Sequence, residues 1–180
     1  MKKSFLIIAA SLLVSLTTTS VFAQTKPDTT KQPTPTVDVV GVLASNPDYS
    51  SASAAVRAAN LESTLKTGGP YTIFAPNNIA FSNLPKAQSD SLMKDPVKLA
   101  TLLKGHVVTG QYTKAAIIKA LTTGKGKATL TTIDGRTLNL SISPKSTLQL
   151  TDAAGSTAEV TLYDMVGTNG VVNGINGILK

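Results

Sequence analysis

Residues 71–85 read YTIFAPNNIAFSNLP, and this stretch decides the fold. Tyr71 to Ala75 is a run of β-favouring side chains. Pro76 has no N–H to give to a ladder, so strand pairing is expected to stop there. Asn77 is a good helix cap, because its side-chain oxygen can accept from backbone N–H groups one turn later. Ala80, Phe81 and Leu84 then share one face of a short helix. Pro85 disfavours helical geometry in the residue before it and closes the helix at Leu84. The segment therefore predicts a strand, a tight corner and a capped helix, with Phe74, Phe81 and Leu84 as interior anchors.

The flanking sequence extends this pattern. Upstream, Asp38 can cap a helix carrying Val39, Val40, Val42 and Leu43, which Asn46-Pro47 ends. Ala52, Ala55, Val56, Ala59, Leu61 and Leu65 follow helical spacing with a break near Asn60, and Gly68-Gly69-Pro70 is a turn. Downstream, Asp95-Pro96 opens a helix through Leu103, His106-Val107-Val108 is a short strand, and Thr113 caps a helix bearing Ile117, Ala120 and Leu121. Strands with polar alternation follow at residues 128–132, 136–142, 147–151 and 156–163. Helices first and strands afterwards predict an α+β fold. Around TLTTIDGRTLNL, residues 129–140, a two-residue Asp134-Gly135 turn would mix apolar and polar side chains on both faces. A three-residue loop, Ile133-Asp134-Gly135, with Gly135 left-handed in a bulge sets Leu130 opposite Leu138 and Ala128 opposite Leu140, so burial selects that register.

Residues 1–23 read as a signal peptide. Lys2 and Lys3 precede a mostly apolar run of about 12 residues, against the roughly 20 that a membrane span needs. Val21-Phe22-Ala23 presents small residues for cleavage before Gln24. Residues 24–36, rich in Thr and Pro, have nothing large to bury and read as a flexible linker. Residues 37–180 are expected to form one domain. The chain has no cysteine, so an exported product must rely on burial and hydrogen bonds alone. Two of its 17 basic residues leave with the leader, and the remainder are spread along the chain. Without an aromatic-interleaved basic patch, nucleic acid is not an expected partner, and no transmembrane segment remains after cleavage.

Three elements of the sequence resemble the fasciclin domain. Thr72, Phe74, Ala75, Pro76, Asn77, Asn78, Ala80, Phe81, Leu84 and Pro85 match that family's first motif, TxFAPTNxAFxxLP, with Asn77 in place of threonine. LKGHVV, residues 103–108, is similar to the family's central LxYHVV, and DMVGTNGVVNGINGIL, residues 164–179, to DxxAxNGVIHxIDxVL. The resemblance implies a sheet bent into a β-wedge or sandwich with helices packed on one side. It also implies an extracellular or cell-surface module associated with adhesion and matrix contacts, in a family not known for catalysis. Gly105 stands where the tyrosine of the family's Tyr-His pair would be, so the animal receptor-binding role is not carried over. Asn173 and Asn176 replace the second motif's histidine and aspartate.

The residues point away from enzyme chemistry. His106 is the one histidine, which rules out a multi-histidine zinc site, and its apolar neighbours suggest a structural role. No G-x-S-x-G element presents a serine, and Gly124-Lys125-Gly126-Lys127 lacks P-loop spacing. Asp38, Asp95 and Asp134 suit caps and turns, and the carboxylates lack EF-hand spacing. The series Asn169-Gly170, Asn173-Gly174, Asn176-Gly177 is read as a backbone requirement for glycine, with a polar ledge for sugar or peptide as the competing reading. No enzyme activity, cofactor or metal is expected. The expected product is an exported, non-catalytic binding module, periplasmic or extracellular, whose partner is a protein or polysaccharide of the envelope or matrix, with a secreted protein that binds a small ligand or polysaccharide as the alternative.

Overall fold

The computed structural model describes residues 34–180. The signal peptide and the linker as far as residue 33 lie outside the described residues; Thr34 to Thr36 carry no regular structure. Helices α1 (Val39–Ser45), α2 (Ser50–Ala58) and α3 (Glu62–Thr67) come first, with a 3-10 turn at Pro47–Tyr49. Asp38 caps α1 by accepting from the Gly41 N–H at 2.8 Å, and Asn60 breaks the next helical stretch with φ at 54°. Strand β1 (Tyr71–Pro76) leads into α4 (Asn78–Ser82), α5 (Lys86–Lys94), α6 (Pro96–Lys104) and β2 (Val107–Thr109). Helix α7 (Lys114–Thr123) precedes β3 (Lys127–Thr131), β4 (Thr137–Ile142), β5 (Leu148–Thr151), β6 (Thr157–Gly167) and β7 (Gly170–Ile175).

The seven strands form one mixed sheet in the order β2-β1-β7-β6-β5-β4-β3. β7, last in the chain, lies inside the sheet, parallel to β1 and antiparallel to β6. All six of its residues are buried, Asn173 among them, so it shows no alternation of inward and outward side chains. β6 bends the sheet, with register shifts on either side of Leu162 and Asp164 at φ 58°. The edge strands meet at one point, where Val108 bridges Thr132 and the Ile133 N–H donates to the Val107 carbonyl at 2.8 Å. The result is an α+β architecture close to a barrel.

One expectation needs correction, at Leu84, and one helix was missed. Pairing ends at Pro76 as expected, opposite Ile175, and the N–H groups of Tyr71 and Asn77 point to the β7 side, donating to the Asn169 and Ile175 carbonyls at 3.1 and 3.0 Å. Phe74 faces the other way, donating to the His106 carbonyl at 2.8 Å, and Pro76 shares that orientation. Its missing N–H is turned to the side where β2 has already ended, so the ladder loses nothing. Leu84 is half-buried and not an interior anchor: α4 ends at Ser82, and Leu84 borders a groove with Leu92, Leu102 and Ile178. Helix α5 was not visible in the sequence; none of its residues is buried, so it has no apolar periodicity to read.

The hairpin between β3 and β4 adopts the bulged register, with Leu130 opposite Leu138, Ala128 opposite Leu140 and Gly135 at φ 83°. Thr132 opposes Arg136, whose carbonyl accepts from the Thr132 N–H at 2.9 Å.

Candidate functional site

The motif side chains are turned inward and spend their polar atoms on backbone. Thr72 is fully buried; its hydroxyl donates to the Gly110 carbonyl at 2.7 Å and accepts from the Tyr112 N–H at 2.8 Å, tying down the loop after β2. Phe74, Ala75 and Pro76 are buried beside it. Asn77 caps α4 through the Ala80 N–H at 2.8 Å. Asn78 reaches across to α2: its side-chain oxygen accepts from the Ser51 N–H and the Ser50 hydroxyl, and its amide nitrogen donates to the Pro47 carbonyl. A residue of the strand–corner–helix motif thus caps a helix far away in sequence. Phe81 is buried, and the exposed Pro85 lends its carbonyl to the first turn of α5.

His106 links two chain segments. The Leu179 N–H donates to its Nε2 at 3.0 Å, which fixes the proton on Nδ1, and Nδ1 donates to the Leu102 carbonyl at 2.8 Å. Burial lowers its pKa to about 4, assisted by the Arg136 charge and opposed by the Leu102 bond and by Asp152 and Asp134. The imidazole is therefore neutral at neutral pH, with both ring nitrogens engaged. Arg136 folds over Gly105, where a Cβ would collide with its guanidinium. It donates to the Thr101 carbonyl at 2.8 Å and pairs with Asp134 at 2.6 Å. Burial raises the Asp134 pKa, but the Thr132 hydroxyl and Arg136 outweigh it and lower it overall. The place of the tyrosine in that motif is therefore filled by a cation from the loop between β3 and β4.

The C-terminal asparagines are clamps. Asn169 accepts from the Val39 N–H at 3.0 Å and donates to the carbonyls of Leu65, Lys66 and Gly68, joining α1, α3 and the turn into β1. Asn173, fully buried, donates to the Tyr112 carbonyl at 3.1 Å and accepts from the Asp164 N–H at 3.0 Å, holding the β6 bulge. Asp164 in turn accepts from the Lys114 N–H at the start of α7. Gly170 and Gly174 are required for space, because a Cβ would strike the Tyr71 backbone at one and the Tyr49 hydroxyl at the other.

A hollow of about 340 Å³ opens between the corner of the first motif and the bend in β6, lined by Asp48, Tyr49, Asn77, Asn78, Ile79, Thr161 and Leu162. Its rims are apolar: Ile79 is 67% exposed and Leu162 40%. Tyr49 forms its floor, its pKa raised by burial against the effect of a Thr161 hydrogen bond. The distance in sequence between Asp48 and Leu162 kept this site out of the sequence reading, although Asn77 and Asn78 mark its edge. Two enclosed spaces among the described residues measure about 10 Å³ each, room for a single water. No three His, Cys, Asp or Glu gather as metal ligands among the described residues.

The family model of the fasciclin domain matches residues 47–180. The immunogenic protein MPB70 of Mycobacterium bovis is 34% identical over 70% of this chain and 65% of its own length. The cell surface glycolipoprotein MPB83 of the same species is 44% identical over 43% of this chain and 34% of its own. A solved pair of FAS1 domains from the insect cell adhesion molecule fasciclin I superposes with a TM-score of 0.63 at 19% identity, covering 80% of this chain and 51% of that one. The chain thus spans between a third and two thirds of these proteins.

Proposed function

The chain belongs to the fasciclin domain family, and on that premise we propose that it is an exported, non-catalytic binding module serving cell-surface adhesion or contacts between envelope and matrix. One observation carries this reading: the interior has no room for a ligand, and the motif side chains are committed to the scaffold, so a partner must be met on the outer face. The hollow between Ile79 and Leu162, with apolar rims and a polar floor, is the surface best suited to a protein or matrix partner. The relative described as a cell surface glycolipoprotein and the fold shared with a cell adhesion molecule support the reading. Among the described residues, no helix is long and apolar enough to cross a membrane.

A second reading is a polysaccharide-binding protein. It is favoured by the exposed Lys114, Lys119, Lys125 and Lys127, in a stretch with no acidic residue from Thr113 to Ile133. Binding of the purified protein to its own envelope fractions and to a glycan panel separates the two. For the first reading, Ile79→Asp with Leu162→Asp abolishes envelope binding and leaves the melting curve unchanged. Binding untouched by that pair but lost on replacing the four lysines with glutamine, and screened by salt, supports the second reading. Turnover of an envelope substrate would refute both.

A further inference from the structure

Asparagine followed by glycine is where a side-chain amide carbon is most open to attack by the next backbone nitrogen, since glycine sets no Cβ in the way. The chain holds three such pairs within eight residues of one another, and the fold treats them differently. Asn169 is bound at both ends of its amide, to Val39 and to three carbonyls, and Gly170 is buried in β7. Asn173 is fully buried and bound at both ends, with Gly174 packed under Tyr49. Asn176 lies one residue beyond β7 and is exposed. Among the described residues the Gly177 N–H has no hydrogen-bond acceptor. The Asn176 amide touches Glu159 alone: its oxygen accepts from the Glu159 N–H at 2.8 Å, and its nitrogen lies 3.4 Å from the Glu159 carboxylate.

We propose that Asn176 is a site of spontaneous deamidation in the folded protein. The Gly177 nitrogen, losing its proton, forms a bond to the Asn176 side-chain carbon. The bond from that carbon to Nδ2 breaks, and ammonia leaves with the proton, giving a cyclic imide. Water then opens the imide at either carbonyl, producing aspartate or isoaspartate, with no change in oxidation state. Either product puts a carboxylate beside that of Glu159. Isoaspartate also adds a methylene to the backbone next to Gly177. The segment it displaces is hydrogen-bonded at two points, the Leu179 N–H on His106 Nε2 at 3.0 Å and the Lys180 N–H on the Asp152 carboxylate at 2.6 Å, and Leu179 is buried in the core. The modification therefore loosens the tail that closes over His106, and the protein carries a record of its own age.

The test is to incubate the full chain at neutral to mildly alkaline pH, native and in urea, and to map peptides by mass spectrometry that distinguishes isoaspartate. In native protein, Asn176 is converted at least about tenfold faster than Asn169 or Asn173, whose segments must open first. In urea the three rates converge. Asn176→Gln removes the native product without changing the melting curve. Amide exchange at Leu179 is faster in the isoaspartyl fraction than in unmodified protein. Native conversion at Asn169 or Asn173 as fast as at Asn176 overturns the proposal, as does an Asn176 that stays intact while the unfolded chain is modified.

Discussion

Ile73, Ala75 and Val172 face the helices from β1 and β7, whereas Phe74 and Ile175, alternating with them, face the space enclosed by the strands. The helical side sets small residues, among them Ala52, Ala55, Ala59, Val39, Val40 and Val56, between larger ones such as Leu43, Leu65, Leu99 and Leu103, and the small ones let α1 and α2 come close to the sheet. The enclosed side is filled by leucines paired across strands, Leu130 with Leu138 and Leu140 with Leu150, closed by Ile117 and Leu121 of α7 around one large ring, Phe74. The first side mixes small and large side chains from several helices, and the second is packed around one large ring. A lost side chain is therefore shared out among neighbours on the helical side and leaves a void on the other.

The largest effect expected from this contrast is on the two phenylalanines. Phe74→Ala should cost near the top of the range for such changes, about 5 kcal/mol, because the leucine walls cannot collapse onto the vacancy. Phe81→Ala, at the margin of the helical side, should cost nearer about 3 kcal/mol. Denaturant unfolding of both variants measures the difference, and equal losses would break the contrast.

The second test concerns His106, packed among apolar side chains and held by α6 and the tail. Its pKa in the folded protein, about 4, lies below its ordinary 6.5. Between these values the unfolded chain takes up a proton that the folded one refuses, so stability is complete above about pH 6.5 and falls as the pH drops. The loss levels off below about pH 4, after roughly 3 kcal/mol. His106→Gln should lower stability at neutral pH and flatten this slope, read from unfolding midpoints across the window. An unchanged slope would mean that the imidazole is not the group responsible.

The smallest effect concerns the hairpin that supplies Leu130 and Leu138 to the enclosed side. Gly135→Ala should cost about 1 kcal/mol from backbone strain alone, since φ is 83° and a Cβ there would meet nothing within 4 Å. A neutral substitution, measured by thermal unfolding, would show that the loop can change its conformation without moving the leucines.

What could be read in the sequence follows the range of the interaction. Asp38, Asn77, Asp95 and Thr113 each cap a helix within three residues of themselves, and each was legible. The hairpin register was legible too, because a slip of one residue would have exposed its leucines. β7 was recognised only as core: its strand partner β1 lies about a hundred residues earlier, and a strand buried on both faces has no alternation. The extension of β6 to Gly167 was hidden by the bulge at Asp164, which depends on Asn173. The hollow beside Tyr49 was illegible for the same reason, since only the folded sheet brings Leu162 to Ile79.

The place of β7 inside the sheet also reverses the order of assembly. Tyr71–Pro76 is made early, yet the strand that fills its parallel side is Gly170–Ile175. Until that strand arrives, a growing chain carries an apolar segment with one bare edge, the kind of surface that recruits other chains. The sheet cannot be completed in the order in which it is synthesised. Closure of the sheet on this side of β1 must wait until Ile175 has been made.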